Sequence, residues 1–369
     1  MTNKDNNTLS LLDRTLIEIR NRSKFIGQFQ LDKNRVRFFT NHQGNTRAFL
    51  ILNTSGCRWA RSSGGCSMCG FYTTSRPNIK QKEIKEQFNR AYNRLIKNKL
   101  LSHVYIFTCG SFFDDKEISP KLRLYIISKL SKINNLTFIG VESRPIYINY
   151  SAIKAVKKII KNKIFSVSMG LESVTTKVLK YCVHKGYTFQ DFKHSANLLK
   201  KAGVHVTVDL LLKPPFLTEK EAINDAVKSI EACKRLAVGQ IYLSACFIEK
   251  DTLVWYLWKN NLYTPPWKWS LLEVAKKISH QGSPVAFGGF EAYPTPVKIT
   301  SNCGKCDKLV EEVLNIYPNN HKIIKETEVY CDCIKKWRQE VEEINRDSLN
   351  KRVKKAIQYL NDKYNFFTL

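Results

Sequence analysis

Short apolar runs alternate with amphipathic stretches through the middle of the chain. Helical patterns occur at about residues 80–97, 121–133, 151–161, 189–202 and 219–236. The apolar runs between them have the length and the flanking turn residues of buried strands. Alternation of this kind predicts an α/β fold built on a parallel sheet or barrel. The predicted strands are AFLILNTSG, HVYIFTCGS, LTFIGVESRP, IFSVSMGLES, VHVTVDLLL and GQIYLSACFI.

The two ends of the chain have other patterns. Residues 1–45 are polar and basic, predict one helix from about Ser10 to Arg22, and show no readable chemistry. Beyond about Asp251 the alternation ends, and the last 30 or so residues, from KKWRQ onward, predict one long amphipathic helix. We therefore expect a helical extension (1–45), an α/β domain (46–250) and a smaller α-rich region (251–369).

The charge of the chain points to a polyanionic partner. Sixty Lys and Arg face 32 Asp and Glu, a formal net charge of +28. AT-rich codon usage would enrich Lys, but it would enrich Glu as well, so nucleic acid is the better explanation. The N-terminus has no secretion signal and no run of about 18 apolar residues occurs, so we expect a cytoplasmic protein that does not enter a membrane.

The eleven cysteines are unevenly distributed. Three lie between positions 57 and 69 and four between 303 and 333. In a reducing compartment such clusters are typical of metal ligands rather than disulfides. The four isolated ones, Cys109, Cys182, Cys233 and Cys246, are expected in the core.

The first cysteine group is Cys57, Cys66 and Cys69 in GCRWARSSGGCSMCGFY. Three thiolates on a glycine-rich loop after a strand can bind three irons of a [4Fe–4S] cubane and leave the fourth iron open. A zinc site with a borrowed fourth ligand fits the same spacing.

The surroundings of this group resemble the radical S-adenosylmethionine superfamily, in particular the branch of the Elongator catalytic subunit, whose first cysteine gap is wide. The resemblance spans roughly Arg47 to Glu249. It implies a partial (β/α)6 barrel, a [4Fe–4S] cluster on the three cysteines, S-adenosylmethionine as cofactor, and a 5′-deoxyadenosyl radical that attacks one substrate C–H bond.

The same resemblance implies which residues bind the cofactor. TCGS offers Gly110 and Ser111 to the methionine amino group, although the family usually has a more acidic pattern there. Met68 takes the apolar position against adenine, where the family more often has an aromatic residue. The remaining cofactor-binding candidates are Phe71 after the loop, Glu142 and Arg144 in VESRP, and Ser168 and Glu172 in SMGLES.

The second cysteine group is a CxxC followed by a CxC, and the four thiolates match a tetrahedral zinc site. A second iron–sulfur cluster or unliganded thiols would also fit. Four nearby lysines would give the site a basic surface next to which RNA could lie; they are Lys305, Lys308, Lys335 and Lys336. The four cysteines are Cys303, Cys306, Cys331 and Cys333.

Over its whole length the chain resembles the archaeal radical proteins of archaeosine biosynthesis. That resemblance implies a tRNA substrate with a lysine-modified 7-deazaguanine in the D-loop, hydrogen abstraction beside the attached nitrogen, and C–N cleavage. It also implies a tRNA lysine transferase and a reductant protein as partners. Glu291 in FGGFEAYPTP is a candidate for the lysine amino group. The aromatic stretch VWYLWKNNLYTPPWKW could stack an everted base or simply pack.

Two alternatives remain open on the sequence. One is a radical enzyme acting on another RNA, a protein or a metabolite. The other is a non-catalytic, zinc-dependent RNA-binding protein in which both cysteine groups are structural.

Overall fold

A computed structural model describes residues 3–23, 36–40, 46–279, 285–292, 295–326 and 329–367. Its centre is one eight-stranded sheet whose strands follow each other in chain order. Strand β1 runs antiparallel to β2, and every later neighbour is parallel. The sheet curls into a half-barrel, so the predicted α/β fold is confirmed. The strands are β1 Val36–Thr40, β2 Thr46–Leu52, β3 Leu101–Thr108, β4 Phe138–Glu142, β5 Ile164–Glu172, β6 His205–Leu212, β7 Gln240–Ala245 and β8 Val285–Gly288.

Helices cover the outer face of the sheet and form the C-terminal region. Several begin at side-chain caps, as at Thr188 and Thr218, where threonine accepts from the backbone and an acidic residue three positions later bonds back. The α-helices are α1 Asn3–Arg22, α2 Arg58–Ser63, α3 Gln81–Leu95, α4 Pro120–Ser131, α5 Tyr150–Ile160, α6 Phe189–Lys201, α7 Glu219–Arg235, α8 Leu253–Lys259, α9 Lys268–Ile278, α10 Asp307–Ile316, α11 Ile323–Glu326, α12 Cys333–Glu342 and α13 Leu349–Tyr364.

The core lies between the convex face of the sheet and these helices. Alternate side chains of each strand point into it, as the burial pattern of Thr46–Leu52 shows. The four isolated cysteines are buried, as predicted. The opposite side chains line the concave face, which is where a half-barrel leaves room for ligands.

The structure differs from the sequence prediction at two strands and at a break in the C-terminal helix. Strand β1 was not predicted, and strand β8 pairs with β7 although it lies beyond the expected boundary at 250. The sheet therefore extends into the region that was expected to be separate.

The predicted long C-terminal helix is wrong, because the structure has two helices separated at residues 343–348. Glu343 and Ser348 have extended backbone angles. The Asp347 carboxylate pairs with Lys351 and Lys355 in the first turns of α13, where a negative charge is favourable. The Arg352 guanidinium on α13 donates to both carboxylate oxygens of Glu221 on α7, at 2.7 and 2.8 Å. The chain turns between α12 and α13, and Arg352 then connects α13 to α7.

Among the described residues, no helix has both the length and the apolar character needed to cross a membrane.

Candidate active site

The first cysteine group opens into a cavity of about 280 Å³ at the carboxyl ends of the parallel strands. This is the edge of a parallel barrel at which loops bring functional side chains together. Ten of the sequence-predicted residues line this cavity. They are Cys57, Cys66, Met68, Cys69, Phe71, Gly110, Glu142, Arg144, Ser168 and Glu172.

Ser111 does not line the cavity and lies directly behind it. Its side chain is buried, and its Oγ accepts a hydrogen bond from the backbone N of Arg144 at 3.1 Å. Ser111 therefore connects the end of β3 to the end of β4 rather than facing a ligand.

The cysteine loop leaves β2, forms the short helix α2 and turns back through two glycines. Gly64 and Gly65 both have φ of +77°, in the left-handed region that favours glycine. A Cβ on Gly64 would lie 2.5 Å from the backbone carbon of Leu16, so helix α1 packs directly against the turn. The glycines thus let the loop fold tightly beside the N-terminal helix.

The three cysteines of this loop are spread around the cavity. Among the described residues, they do not form a group whose ligand atoms all lie close enough to bind one ion. Ligands of a cubane bind different iron atoms and so lie farther apart than ligands of a single ion. Within the part of the chain that the structure describes, this loop therefore does not present converging ligands for a single zinc ion.

Carboxylates from three successive strands form one wall of the cavity. Ser168 Oγ donates to Asp209 Oδ2 at 2.6 Å, and Lys185 Nζ pairs with Glu172 Oε1 at 2.7 Å. Burial raises the pKa of Glu142 to about 8, with Asp209 and Glu172 adding to the effect. Burial also raises the pKa of Asp209 to about 6. The wall can therefore hold a cationic ligand or accept a proton near neutral pH.

Arg144 faces the cysteines from the other side. It donates to the carbonyl oxygen of Lys185 at 2.6 Å and lies 4.9 Å from the ring centre of Tyr187. Burial opposes its charge, but Cys66 and Cys57 hold the pKa of Arg144 above its usual value. A buried cation is thus placed beside two of the thiols.

Gly110 allows the end of β3 to approach the cysteine loop. A Cβ there would lie 2.3 Å from Glu117 Oε2 and 2.8 Å from the Cα of Cys57. Glu117 also accepts from the Thr54 hydroxyl, and burial raises its pKa to about 7. No residue larger than glycine fits at this position unless the cysteine loop moves.

A second cavity of about 550 Å³ adjoins the first on the concave face of the sheet. It shares Phe71, Thr108, Cys109 and Glu142 with the first cavity. Phe49 stacks on Tyr105 and Phe107 with ring centres 5.1 and 5.6 Å apart, and Phe39 meets Phe49 edge-on. Glu291 and Arg37 also line this cavity. Glu291 therefore lies at this second cavity and not among the cysteines.

Sequence reasoning did not single out several other side chains of the first cavity, among them Asp209, Lys185, Tyr187 and Glu249. Asp209 carried a signal, because it is the one charged residue inside an otherwise apolar strand. Lys185 and Tyr187 follow a π-helix, and no local pattern shows that this turn returns to the cavity. Glu249 bonds to the backbone N of Gly70, a partner remote in sequence.

The second cysteine group forms a compact candidate metal centre. Sγ separations are 3.9 Å for Cys303–Cys306, 3.5 Å for Cys303–Cys331 and 3.6 Å for Cys306–Cys333. All four sulfur atoms lie within 4.8 Å of one another, so they could hold a metal ion.

Neighbouring donors orient this group. Trp269 Nε1 donates to Cys333 Sγ at 3.2 Å, and Asn302 Nδ2 donates to Cys306 Sγ at 3.3 Å. Backbone N–H groups of Lys305 and Cys306 hold the pKa of Cys303 below its usual value, which favours the ligating thiolate. The nearby lysines are exposed, as a basic surface requires; they are Lys305, Lys308, Lys335 and Lys336.

The aromatic stretch after β7 mainly packs. Val254, Leu257, Tyr263 and Trp269 are buried, and the other aromatic residues are partly buried against the core; these are Trp255, Tyr256, Trp258 and Trp267.

The chain is similar to several known proteins. The model of the radical SAM superfamily matches residues 53–227. The archaeosine synthase subunit beta of Methanosarcina acetivorans is 34% identical over 301 residues, covering 79% of this chain and 84% of that protein. The protein of the same name from Thermococcus kodakarensis is 36% identical over 231 residues, covering 62% and 71%. Among solved structures, Elp3 of Methanocaldococcus infernus has a TM-score of 0.47 at 17% identity, covering 64% of this chain and 58% of that chain.

Proposed function

The chain belongs to the radical S-adenosylmethionine superfamily, and on that premise we propose that it modifies tRNA in archaeosine biosynthesis. The observation that carries the proposal is the 34% identity to an archaeosine synthase beta subunit over 84% of that protein's length. The alignment covers 79% of this chain, more than the superfamily match at 53–227 alone.

The residues of the first cavity fit a [4Fe–4S] cluster and S-adenosylmethionine. Cys57, Cys66 and Cys69 supply three thiolates around one space, and Arg144 offsets their negative charge. When bound, the cluster and S-adenosylmethionine supply hydrogen-atom abstraction from an unactivated C–H bond.

The chain's own residues would position the cofactor. The backbone at Gly110 and the carboxylates of Glu142 and Glu172 would hold its amino group, while Ser168 holds Asp209 in place. Met68 and Phe71 line the same cavity and offer apolar contact to the adenine. The ion pair between Lys185 and Glu172, whose side chains are 8% and 12% exposed, holds the Glu172 carboxylate in place.

The second cavity would receive the base with its lysine arm. Phe39 and Phe71 line this cavity and are 48% and 44% exposed, which suits stacking on a planar base. Glu291 lies on the same cavity and would bind the lysine ammonium group. The shared wall at Cys109 and Glu142 brings the arm toward the cofactor cavity.

The proposed reaction begins at the lysine carbon bonded to the formamidine nitrogen. The bound cluster and S-adenosylmethionine would supply the removal of a hydrogen atom and an electron from this carbon, and the carboxylate of Asp209, whose pKa is raised only to about 6, would accept the proton. Water then cleaves the resulting C=N bond, which releases the arm as an aldehyde and leaves the formamidine of archaeosine.

The partners follow from this substrate. A net charge of +28 favours tRNA phosphates. A tRNA lysine transferase must attach the arm, and a reductant protein must supply electrons, so we expect both beside this chain in the cytoplasm. We assign the second cysteine group to a structural Zn²⁺, because its four thiols are compact and oriented by neighbouring donors.

The function is tested by mass spectrometry of tRNA nucleosides from a strain that lacks the protein. We expect archaeosine to disappear and its lysine-modified precursor to accumulate. Unchanged modified nucleosides would defeat the tRNA proposal and favour another RNA, a protein or a metabolite as substrate. No 5′-deoxyadenosine from reduced, cluster-loaded protein would instead favour the non-catalytic RNA-binding alternative.

A further inference from the structure

One residue of the N-terminal helix reaches the cysteine loop directly. Arg20 is 5% exposed, and its Nε donates to the carbonyl oxygen of Gly64 at 2.7 Å. Its Nη2 donates to the carbonyl oxygens of Cys66 and Cys69 at 3.1 and 2.6 Å. A single guanidinium therefore holds three carbonyl groups of the loop, two of them on proposed cluster ligands.

Helix α1 is fixed against the loop, so Arg20 has a rigid base. Asp13 Oδ1 lies 2.7 Å from His184 Nε2, and His184 Nδ1 lies 2.7 Å from the carbonyl oxygen of Gly65. The apolar side of α1, with Leu12 and Leu16, is fully buried in the core. The helix and the loop thus form one packed unit.

The charge of Arg20 acts on the loop rather than on an ion-pair partner. Within the part of the chain that the structure describes, no carboxylate lies within 4.0 Å of it, and its Nη1 is buried without a hydrogen-bond partner. Positive charge and hydrogen bonding beside an iron–sulfur cluster favour its reduced state.

We infer that Arg20 is a positioning residue for the cluster: it fixes the Cys66–Cys69 turn for ligation and raises the cluster's reduction potential. The residue lies outside the superfamily match at 53–227, so this role belongs to the N-terminal extension of this chain. The inference rests on the cluster of the proposed function but not on its substrate.

The test compares Arg20→Gln and Arg20→Lys with the matched control Arg14→Gln, an exposed position on the same helix. Each protein is reconstituted anaerobically with iron and sulfide, without tRNA. Iron and sulfide content, thermal unfolding and the cluster's midpoint potential are measured. None of these readouts depends on the substrate, so a failed tRNA experiment would leave them unaffected.

We expect Arg20→Gln to bind less cluster and to shift the midpoint potential of what it binds to more negative values. Arg20→Lys keeps the charge but cannot reach three carbonyls, so it should lose cluster while keeping a potential near that of the unchanged chain. Arg14→Gln should match the unchanged chain in all three.

Wild-type cluster content and potential in both Arg20 variants would overturn the inference. A lower unfolding temperature with an unchanged midpoint potential in Arg20→Gln would show that Arg20 has a structural role only. That result would also overturn the inference. If Arg20→Gln does not fold, Arg20→Lys decides: full cluster content contradicts the inference, and reduced content supports it.

Discussion

The two cysteine groups have similar thiol counts and very different environments. The C-terminal group is compact, with all four sulfur atoms within 4.8 Å of one another. The Cys57–Cys66–Cys69 group surrounds a cavity of about 280 Å³ and faces buried carboxylates, Lys185 and Arg144. Spacing along the chain permitted zinc at either group. In the structure the four C-terminal thiols converge as a single ion requires, whereas Cys57, Cys66 and Cys69 line a cavity, where we propose a cluster with an open iron.

The largest effect is expected for Cys66→Ala in the first cysteine group. Because each of three thiolates binds a separate iron, losing one should abolish the [4Fe–4S] cluster and all 5′-deoxyadenosine formation. The measurement is chromatography of the reaction with S-adenosylmethionine and dithionite. Cys233→Ala, at a buried cysteine far from either group in sequence, is the control and should keep the product. Product from Cys66→Ala at the level of the unchanged chain would contradict the assignment.

The reciprocal change is Cys333→Ala in the C-terminal group. Losing one of four ligands should release the bound ion and lower the free energy of unfolding by on the order of 3 kcal/mol, while the iron–sulfur absorbance remains. Chemical denaturation and metal analysis on the same sample check both effects. Loss of iron and sulfide along with the C-terminal metal would show that the two groups are not independent.

The fold was more predictable from the sequence than the sites were. Six strands and the helices between them could be predicted because each is a short apolar run or an amphipathic period bounded by turn residues. Strand β8 has only four residues, Val285–Gly288, too few to show a period. The break at 343–348 depends on contacts of Asp347 and Arg352 that form only in the folded chain.

Within the site, the cysteines could be predicted because their spacing is itself the signal. Lys185 and Arg20 could not, because their roles are defined by partners distant in sequence. Arg20 donates to carbonyl groups 44 to 49 residues away, and backbone carbonyls leave no trace in the identity of a residue. Asp209 could have been found from its position inside the apolar strand VHVTVDLLL.

The buried carboxylates should make the first group's cavity the pH-sensitive part of the molecule. Burial raises the pKa of Glu142 from 4.5 to about 8. Between these values the folded protein holds a proton that the unfolded chain has released, so stability falls as pH rises through about 8. In Glu142→Gln the unfolding temperature should depend less on pH between 6 and 8.5, by roughly a few degrees across the range.

The matched control for this pH series is Glu312→Gln, since Glu312 is an exposed carboxylate on α10. Its pH profile should follow that of the unchanged chain. A Glu142→Gln profile that also follows the unchanged chain would show that Glu142 is not held protonated in the folded state.

The smallest expected effect concerns the donors around the C-terminal group. Trp269→Phe keeps an aromatic ring in the core and removes the N–H that donates to Cys333 at 3.2 Å. Metal affinity should fall about tenfold, measured by competition with a chromogenic chelator. Trp255→Phe, on α8, is the comparison variant and should leave the affinity unchanged. Equal affinities in both would mean that the Trp269 hydrogen bond does not stabilise the bound ion.

The assignment of the cluster to the first cysteine group is tested most directly by metal and sulfide analysis. The anaerobically reconstituted chain is compared with a variant in which Cys57, Cys66 and Cys69 are all replaced by alanine. We expect about four irons, about four sulfides and about one zinc per unchanged chain. In the variant the iron and sulfide should disappear while the zinc stays. Retained iron and sulfide in the variant, or zinc lost instead of iron, would contradict the assignment of the cluster to the first group.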